Sequence, residues 1–464
     1  MSAPTTSSDR LPVREKIGYG LGDTASNFVF HTVNVFLFFY YTDVIGLAAA
    51  SVGTLFLVAR LFDTVTDPLM GTIADRTNTR WGKYRPYLVG LAVPFGVMGF
   101  LLFAVPDAEP ATQLTYAYVT YVLMMLVYTA INIPYSALLG VITPKSADRT
   151  SVSSYRFFCA FGAQLLIGAA ALPLVTHFGQ GDESTGYRVT MGFFAVIATA
   201  LFLLTFMMTR ERVQPPVGQK PDLVKELKLL LRNRAWIVMF IAGIFTLTNV
   251  AVRGAVTLFY FKYYAGDDGS PWISVWSISS VFLTTGTIAL MIGIMATSWV
   301  SKFGDKRQLM IWLSASNAVV MALYFFIPAD AIGLMFMMNF LGALLAGPTI
   351  PLVWSMFADV ADYGEWKFGH RSTALVFSGI QFAQKLGLAI GGAIAGWMLA
   401  WFGFVANEFQ TEESLLGIRL MFTFVPAAFA IGSVVTIWFY PLSAKEVQQM
   451  ETELAGRRDA EPVA

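Results

Sequence analysis

Apolar runs about 20 residues long recur along the whole chain between short polar segments, and each is long enough to cross a hydrocarbon layer. Runs such as FAVIATALFLLTFMM lack the two-faced alternation of a barrel strand, so they read as helices. About twelve are predicted: roughly 18–43, 48–74, 86–105, 112–141, 152–176 and 188–209, then roughly 235–264, 273–300, 309–328, 331–358, 372–402 and 418–441. Between the two sets lies the longest polar stretch, RERVQPPVGQKPDLVKELKLLLRNRA, whose DLVKELKLLLRNR portion reads as a basic amphipathic helix on a membrane surface. The expected fold class is an all-α integral membrane protein with two six-helix bundles. Its segments are an N-terminus over 1–17, a first bundle over 18–209, a linker over 210–234, a second bundle over 235–441 and a tail over 442–464.

Composition agrees with this pattern. The 464 residues are 56% hydrophobic and 13% charged, with a mean hydropathy of +0.60, where a soluble chain carries about 25% charged residues. The net charge of +1 hides an asymmetry between loops. Arg10, Arg14 and Lys16, then Arg76 to Arg85, Lys145 and Arg149, Arg210 to Arg234, Lys302 to Arg307, and Lys367 with Arg371 make one set of loops basic. The alternate loops, such as VPDAEPATQ and AGDDGSP, are nearly free of Lys and Arg. By the positive-inside rule both termini are cytoplasmic, which requires an even number of spans. The polar opening MSAPTTSSDRLPVREK carries no cleavable signal. The single Cys159 excludes an internal disulfide and reads as a buried structural thiol. His31, His177 and His370 are far apart, and no zinc cluster, P-loop or nucleophile elbow appears. ATP-driven transport, enzymatic chemistry and nucleic-acid binding therefore lack support, and neither a cofactor nor a structural metal is expected.

Charges within apolar runs are costly and mark ion or substrate pathways. In the second run Asp63 and Asp67 lie at i and i+4 on one helix face, with Thr66 beside them and Arg60 at i−3 from Asp63. Two such carboxylates either hold a cation, sodium included, or share a proton, because mutual repulsion disfavours double ionisation. The alternative is a salt bridge from Arg60 that only locks the helix. In the first run Asp23, Asn27, His31 and Asn34 form one polar stripe, suited either to sugar hydroxyls or to interhelical hydrogen bonds. His31 is also a candidate proton carrier. The fourth run contains Tyr128, Thr129, Asn132 and Pro134, and the proline frees the carbonyl of Ala130. Arg156 opens the fifth run near its interface, and Lys262 also lies near a helix end. Arg253 lies in the seventh run and is open either to an anionic substrate group or to an acid on another helix. Lys385, with Gln381 at i−4, is expected to face a cavity or a carboxylate.

The loop GTIADRTNTRWGKYRP carries Gly71, Asp75, Arg76 and Arg80 in a G-x-x-x-D-R-x-x-x-R pattern, and VSKFGDKRQL echoes it in the second half. It resembles the loop signature of the major facilitator superfamily, in which two bundles rock about a central site. The strings KIGYGLGDTASNFVF, FFYYTDVIGL, GTLFLVARLFDTVTDPLMGTIADRT, RWGKYRPY, INIPYSAL and FADVADYGEWKFGHR resemble the glycoside–pentoside–hexuronide:cation symporters over essentially the whole chain. The resemblance implies a bacterial inner-membrane protein that imports a glycoside, pentoside or hexuronide with sodium or a proton.

Carried over by motif, the cation site falls on Asp63, Asp67 and Thr129, with Thr66 where relatives often have Asn. That replacement keeps protons open as the coupling ion. Of the sugar-binding candidates, Asn27, Asn132, Arg156 and Lys385 match family positions, whereas Asp23, His31, Gln381 and Arg253 are read from the residues themselves. Asn27 and Asn132 stand where some members use aspartates on a galactosyl group, so the hydroxyl pattern recognised here should differ, and an acidic sugar becomes plausible. Arg60, Asp75, Arg76, Arg80, Asp359, Asp362 and Arg371 read as gate or conformational charges. The expected partners are a small sugar, the coupling cation and the lipid bilayer, with the chain a monomer. A lysolipid carrier of the same fold and a non-transporting sugar sensor are the alternatives.

Overall fold

The computed structural model describes residues 11–143, 146–212, 228–369 and 373–460, apart from the side chains at 61, 63–65, 68, 75, 146, 147, 150, 373–375, 377 and 455–460. The side chains of Asp63 and Asp75, the whole of Arg371 and the first part of the expected linker helix, residues 222–227, lie outside the described residues.

Among the described residues the chain is helical: α1 (Val13–Thr32), α2 (Ala49–Arg76), α3 (Arg85–Leu101), α4 (Pro110–Ile142), α5 (Ser146–Gly179) and α6 (Glu183–Met208), then α7 (Arg234–Phe259), α8 (Ile278–Met295), α9 (Lys306–Leu323), α10 (Ile332–Ala346), α11 (Thr349–Phe368), α12 (Thr373–Trp401), α13 (Glu412–Phe422), α14 (Phe424–Trp438) and α15 (Ala444–Ala460). Local chemistry sets several starts. The side chains of Asp182, Asn233, Ser277, Asp305 and Thr411 each accept a first-turn N–H that the helix itself leaves unpaired. Pro348, which has no N–H, separates α10 from α11 within the expected single run 331–358. By contrast α4 runs through Pro134 without a break.

Nine described helical stretches are long and apolar enough to cross a membrane, beginning at Pro110–Ile142 and ending at Glu412–Trp438. The first three expected runs are not among them. α1 is diluted by its polar stripe and continues through wide turns at Val33–Leu37 and Tyr40–Val44. Ala49–Arg60 of α2, beyond which several side chains lie outside the described residues, and Arg85–Leu101 are shorter apolar helices.

The chain divides into two compact units, 1–47 with 59–218 and 48–58 with 219–464. In the first unit α1 packs on α5 and α6, and α3 packs on α4 and α6. In the second, α7 packs on α12 and α14, and α9 packs on α10 and α14. The same pairing therefore occurs in both units, a repeat that the loop strings show only faintly. Residues 48–58 group with the second unit, where the Trp397 indole N–H donates to Thr54 Oγ1 at 3.2 Å.

Glycines allow the closest approaches. Along α12, a Cβ at Gly391 would lie 2.4 Å from Ala251 Cβ and 2.7 Å from the Thr248 carbonyl of α7. The expected tail is also ordered as α15, with Met450 and Leu454 buried and Glu453 accepting the Trp366 indole N–H at 2.6 Å.

Gly391→Ala should force α7 and α12 apart and cost about 1–3 kcal/mol. Thermal melting of the purified protein checks this, and an unchanged midpoint would show that the seam is not tight.

Candidate functional site

The polar stripe of α1 resolves into separate contacts within the first unit. Arg156 donates to the Asp23 carboxylate through Nε at 3.1 Å and Nη2 at 3.3 Å, a two-pronged pair across α1 and α5. Arg156 thus belongs to a half-buried polar network between α1 and α5, within two turns of the start of the apolar stretch Ser151–Gly179. One turn along α1, the Asn27 amide donates to the Asp23 carbonyl at 2.9 Å and accepts from Gln164 Nε2 at 3.2 Å. His31 is half-buried and has no hydrogen bond among the described residues. Asn34 turns to α2 and accepts from Arg60 Nη2 at 3.2 Å.

A tyrosine clasp holds α1 to α4 below this network. The Tyr19 hydroxyl donates to the Tyr135 carbonyl at 3.2 Å, the Tyr135 hydroxyl donates to the Tyr19 carbonyl at 2.7 Å, and the rings stack at 4.7 Å. Gly22 makes room for it, since a Cβ there would lie 2.4 Å from the Tyr135 ring. The Arg156 guanidinium lies 5.5 Å from the centroid of that ring, so cation–π attraction adds to the Asp23 pair.

Of the candidate cation ligands, Thr129 Oγ1 donates to Asp67 Oδ1 at 2.8 Å. Thr129 is buried, and Thr66 is half-buried on the same helix as Asp67. Arg60 is buried, with its guanidinium 5.0 Å from the Phe30 centroid. Phe30 stacks in turn on Tyr128 at 4.9 Å. Asn132 lies one turn after Thr129 on α4 and accepts from Ser26 Oγ at 3.5 Å. A polar chain thus runs Asp67, Thr129, Asn132, Ser26 to the α1 face that carries Asp23 and Asn27.

In the second unit Lys385 is half-buried and engaged, while Gln381 is exposed on α12. Arg253 packs its guanidinium against Tyr324 and Phe422. Lys306 Nζ grips both oxygens of Asp359 at 3.0 and 2.7 Å, and Asp362 is half-buried one turn further along α11. Arg76 and Arg80 are exposed, with Arg80 over the Trp81 ring at 4.9 Å.

Sequence reasoning missed Gln164, the tyrosine clasp and a knot of charges at the end of α6. There the Glu211 carboxylate accepts the backbone N–H groups of Lys83, Tyr84 and Arg85 at 2.9, 2.8 and 3.0 Å, forming an anion nest in the loop before α3. Gly82 has φ +109, and a Cβ on it would meet that carboxylate at 2.5 Å, so glycine is required twice over. Arg212 donates to Glu15 at 2.7 and 2.8 Å, which holds its guanidinium above the usual range. The Arg-Glu-Arg string at 210–212 was a signal for this knot, although it reads as the start of a linker.

Asp23→Asn should leave Arg156 without its charge partner and cost roughly 3 kcal/mol. The double variant Asp23→Asn with Arg156→Gln should recover more than half of that loss, and melting midpoints for all four proteins check the cycle.

The MFS/sugar transport protein family model matches residues 18–444. An Escherichia coli relative provisionally named a glycoside/cation symporter is 39% identical over 453 residues, covering 97% of each chain. An isoprimeverose transporter of Lactiplantibacillus pentosus is 34% identical over 450 residues, covering 95% of this chain and 91% of its own. Among solved structures, a D-xylose–proton symporter aligns with a TM-score of 0.62 at 14% identity, covering 94% of this chain and 97% of its own, which supports the fold alone. The chain is a multi-pass membrane protein that belongs to the MFS/sugar transport protein family of transporters.

Proposed function

We propose that this protein is a cation-coupled sugar symporter of a bacterial inner membrane, with twelve spans in two bundles, cytoplasmic termini and alternating access. The observation that carries the reading is the polar chain from Asp67 through Thr129 and Asn132 to Ser26, beside Asp23 and Asn27. It puts a hydroxyl-bound carboxylate one turn of α4 away from a face that both donates and accepts hydrogen bonds. The names of the relatives support a sugar as cargo and a cation as its driver.

In this reading a sodium ion or proton neutralises Asp63 and Asp67, with Thr66 and Thr129 as neighbouring oxygens. Thr129 then ceases to be committed to Asp67, and α4 transmits the change to Asn132. The sugar is held by Asn27, Asn132, His31 and the Asp23 with Arg156 pair, in which the carboxylate accepts from sugar hydroxyls and the guanidinium donates. Lys385, Gln381 and Arg253, all in the second unit, are the further sugar-binding candidates of this reading. Arg60, Asp75, Arg76, Arg80, Asp359, Asp362 and Arg371 act as gate or conformational charges. Coupling is reciprocal, so the sugar tightens cation binding by the factor by which the cation tightens sugar binding. One cation moving inward across ~100 mV releases about 2.3 kcal/mol, enough to concentrate a neutral sugar roughly 50-fold.

Proteoliposomes with an inside-negative potential test the reading, with sodium and proton gradients imposed separately over a panel of neutral glycosides, pentosides and hexuronides. One gradient should drive uphill uptake of at least one sugar, and Asp67→Asn should abolish that accumulation while leaving sugar exchange across the membrane. Undiminished accumulation in Asp67→Asn would remove Asp67 from the cation site. Saturable sugar binding without flux in the wild type would favour a sensor.

A further inference from the structure

Between Leu21 and Asn34 the incompletely buried residues are Leu21, Thr24, Asn27, Phe30, His31 and Asn34. They recur every third or fourth position, so they mark one open face of α1 and its continuation. Thr24, Asn27, His31 and Asn34 make that face polar, and polar side chains in a spanning helix turn to water or to the protein interior rather than to lipid tails. The open face therefore borders an aqueous path.

On this face Asn27 is joined to a residue outside the sugar-binding candidates. Gln164 of α5, itself half-buried, donates from Nε2 to Asn27 Oδ1 at 3.2 Å. Asn27 Nδ2 donates in turn to the Asp23 carbonyl at 2.9 Å. The two bonds fix the sense of the Asn27 amide, with its oxygen towards α5 and its nitrogen towards its own backbone. The capacity that remains is complementary. Asn27 keeps one of its two N–H donors. Among the described residues Gln164 Oε1 accepts from no donor, yet it is not sealed inside the protein. One turn back along α1, Arg156 gives Nε and Nη2 to Asp23, which leaves part of its five-donor fork over. The charges of that pair offset each other and both amides are neutral, so the patch carries no net charge. A donor held with an acceptor on a neutral patch answers a hydroxyl, which donates and accepts at once, better than a carboxylate, which only accepts.

We propose that Gln164 contacts the sugar directly and determines specificity, reading one hydroxyl together with Asn27 while the Asp23 with Arg156 pair reads a neighbouring one. Gln164 Oε1 accepts the hydroxyl proton, the free Asn27 N–H donates to the hydroxyl oxygen, and Gln164 Nε2 keeps Asn27 turned the right way. The part of the sugar held here carries hydroxyls, and an acidic group on a substrate lies elsewhere. This role rests on the sugar-symporter reading and adds a residue to it.

The test is binding to the full-length protein in proteoliposomes, measured by isothermal titration. The probes are the methyl glycosides of xylose, glucose, galactose and glucuronic acid, each beside its monodeoxy analogues. For at least one parent glycoside, loss of a single hydroxyl should weaken wild-type binding about 10-fold, as one hydrogen bond worth about 1.4 kcal/mol requires. Gln164→Leu should weaken that parent by a similar factor yet bind the matching deoxy analogue within about 2-fold of the wild type, because both changes remove the same contact. Gln164→Met, unbranched and of similar length, repeats the comparison should Gln164→Leu fail to fold. Equal weakening of the parent and all its analogues, down to complete loss, would reduce Gln164 to a tie between α1 and α5 and overturn its contact with sugar. Wild-type affinity in both variants, or a wild type that treats every analogue like its parent, would overturn it too, and the symporter reading would stand in each of these cases. A wild type that binds none of the glycosides would remove the sugar reading, and the role of Gln164 with it.

Discussion

A charged side chain cannot be left alone at the depth of a hydrocarbon layer, and much of this structure follows from meeting that requirement. Asp23 and Arg156 meet it by pairing across two helices. Arg60 meets it with the Asn34 amide and the face of Phe30. Each solution ties together elements that are distant in sequence, so the charges that weaken the apolar runs also specify how the helices assemble. The first unit shows this most fully, since α1 is too polar to register as a plain apolar span yet packs centrally against α5 and α6.

The strength of these ties is uneven, and the unevenness has functional sense. At the end of α6 the contacts are short and redundant, with Glu211 held by three backbone N–H groups and Glu15 by two guanidinium nitrogens. Along the stripe each group has fewer partners, as between Arg156 and Asp23, Gln164 and Asn27, and Ser26 and Asn132. A group with fewer partners keeps donor and acceptor capacity for a ligand.

The helical class and the spacing of α1 polar residues were legible because both depend on local pattern. The Asp67 contact with Thr129 was legible only through motif resemblance, since nothing in the spacing of α2 says which helix faces it. The partner of Arg156 was not legible, since its place near the start of an apolar run does not say that it faces Asp23 on α1. Gln164 and Tyr19 carry no local signal, as a glutamine or tyrosine in an apolar run has many uses. Glu211 was hidden for another reason: its partners are backbone N–H groups, and backbone has no letter in the sequence.

The knot at Glu15, Glu211 and Arg212 also constrains the order of events during synthesis. Glu15 and Arg212 are separated by 197 positions, and at 5–20 residues per second translation needs roughly 10–40 s to cover that distance. Throughout that interval α1 has emerged without its partner, and the nest over residues 83–85 has no carboxylate to close on. The clasp between Tyr19 and Tyr135 and the Asp23–Arg156 pair can form earlier, but the ends of α1, α3 and α4 are joined by this knot only after the residues beyond α6 arrive.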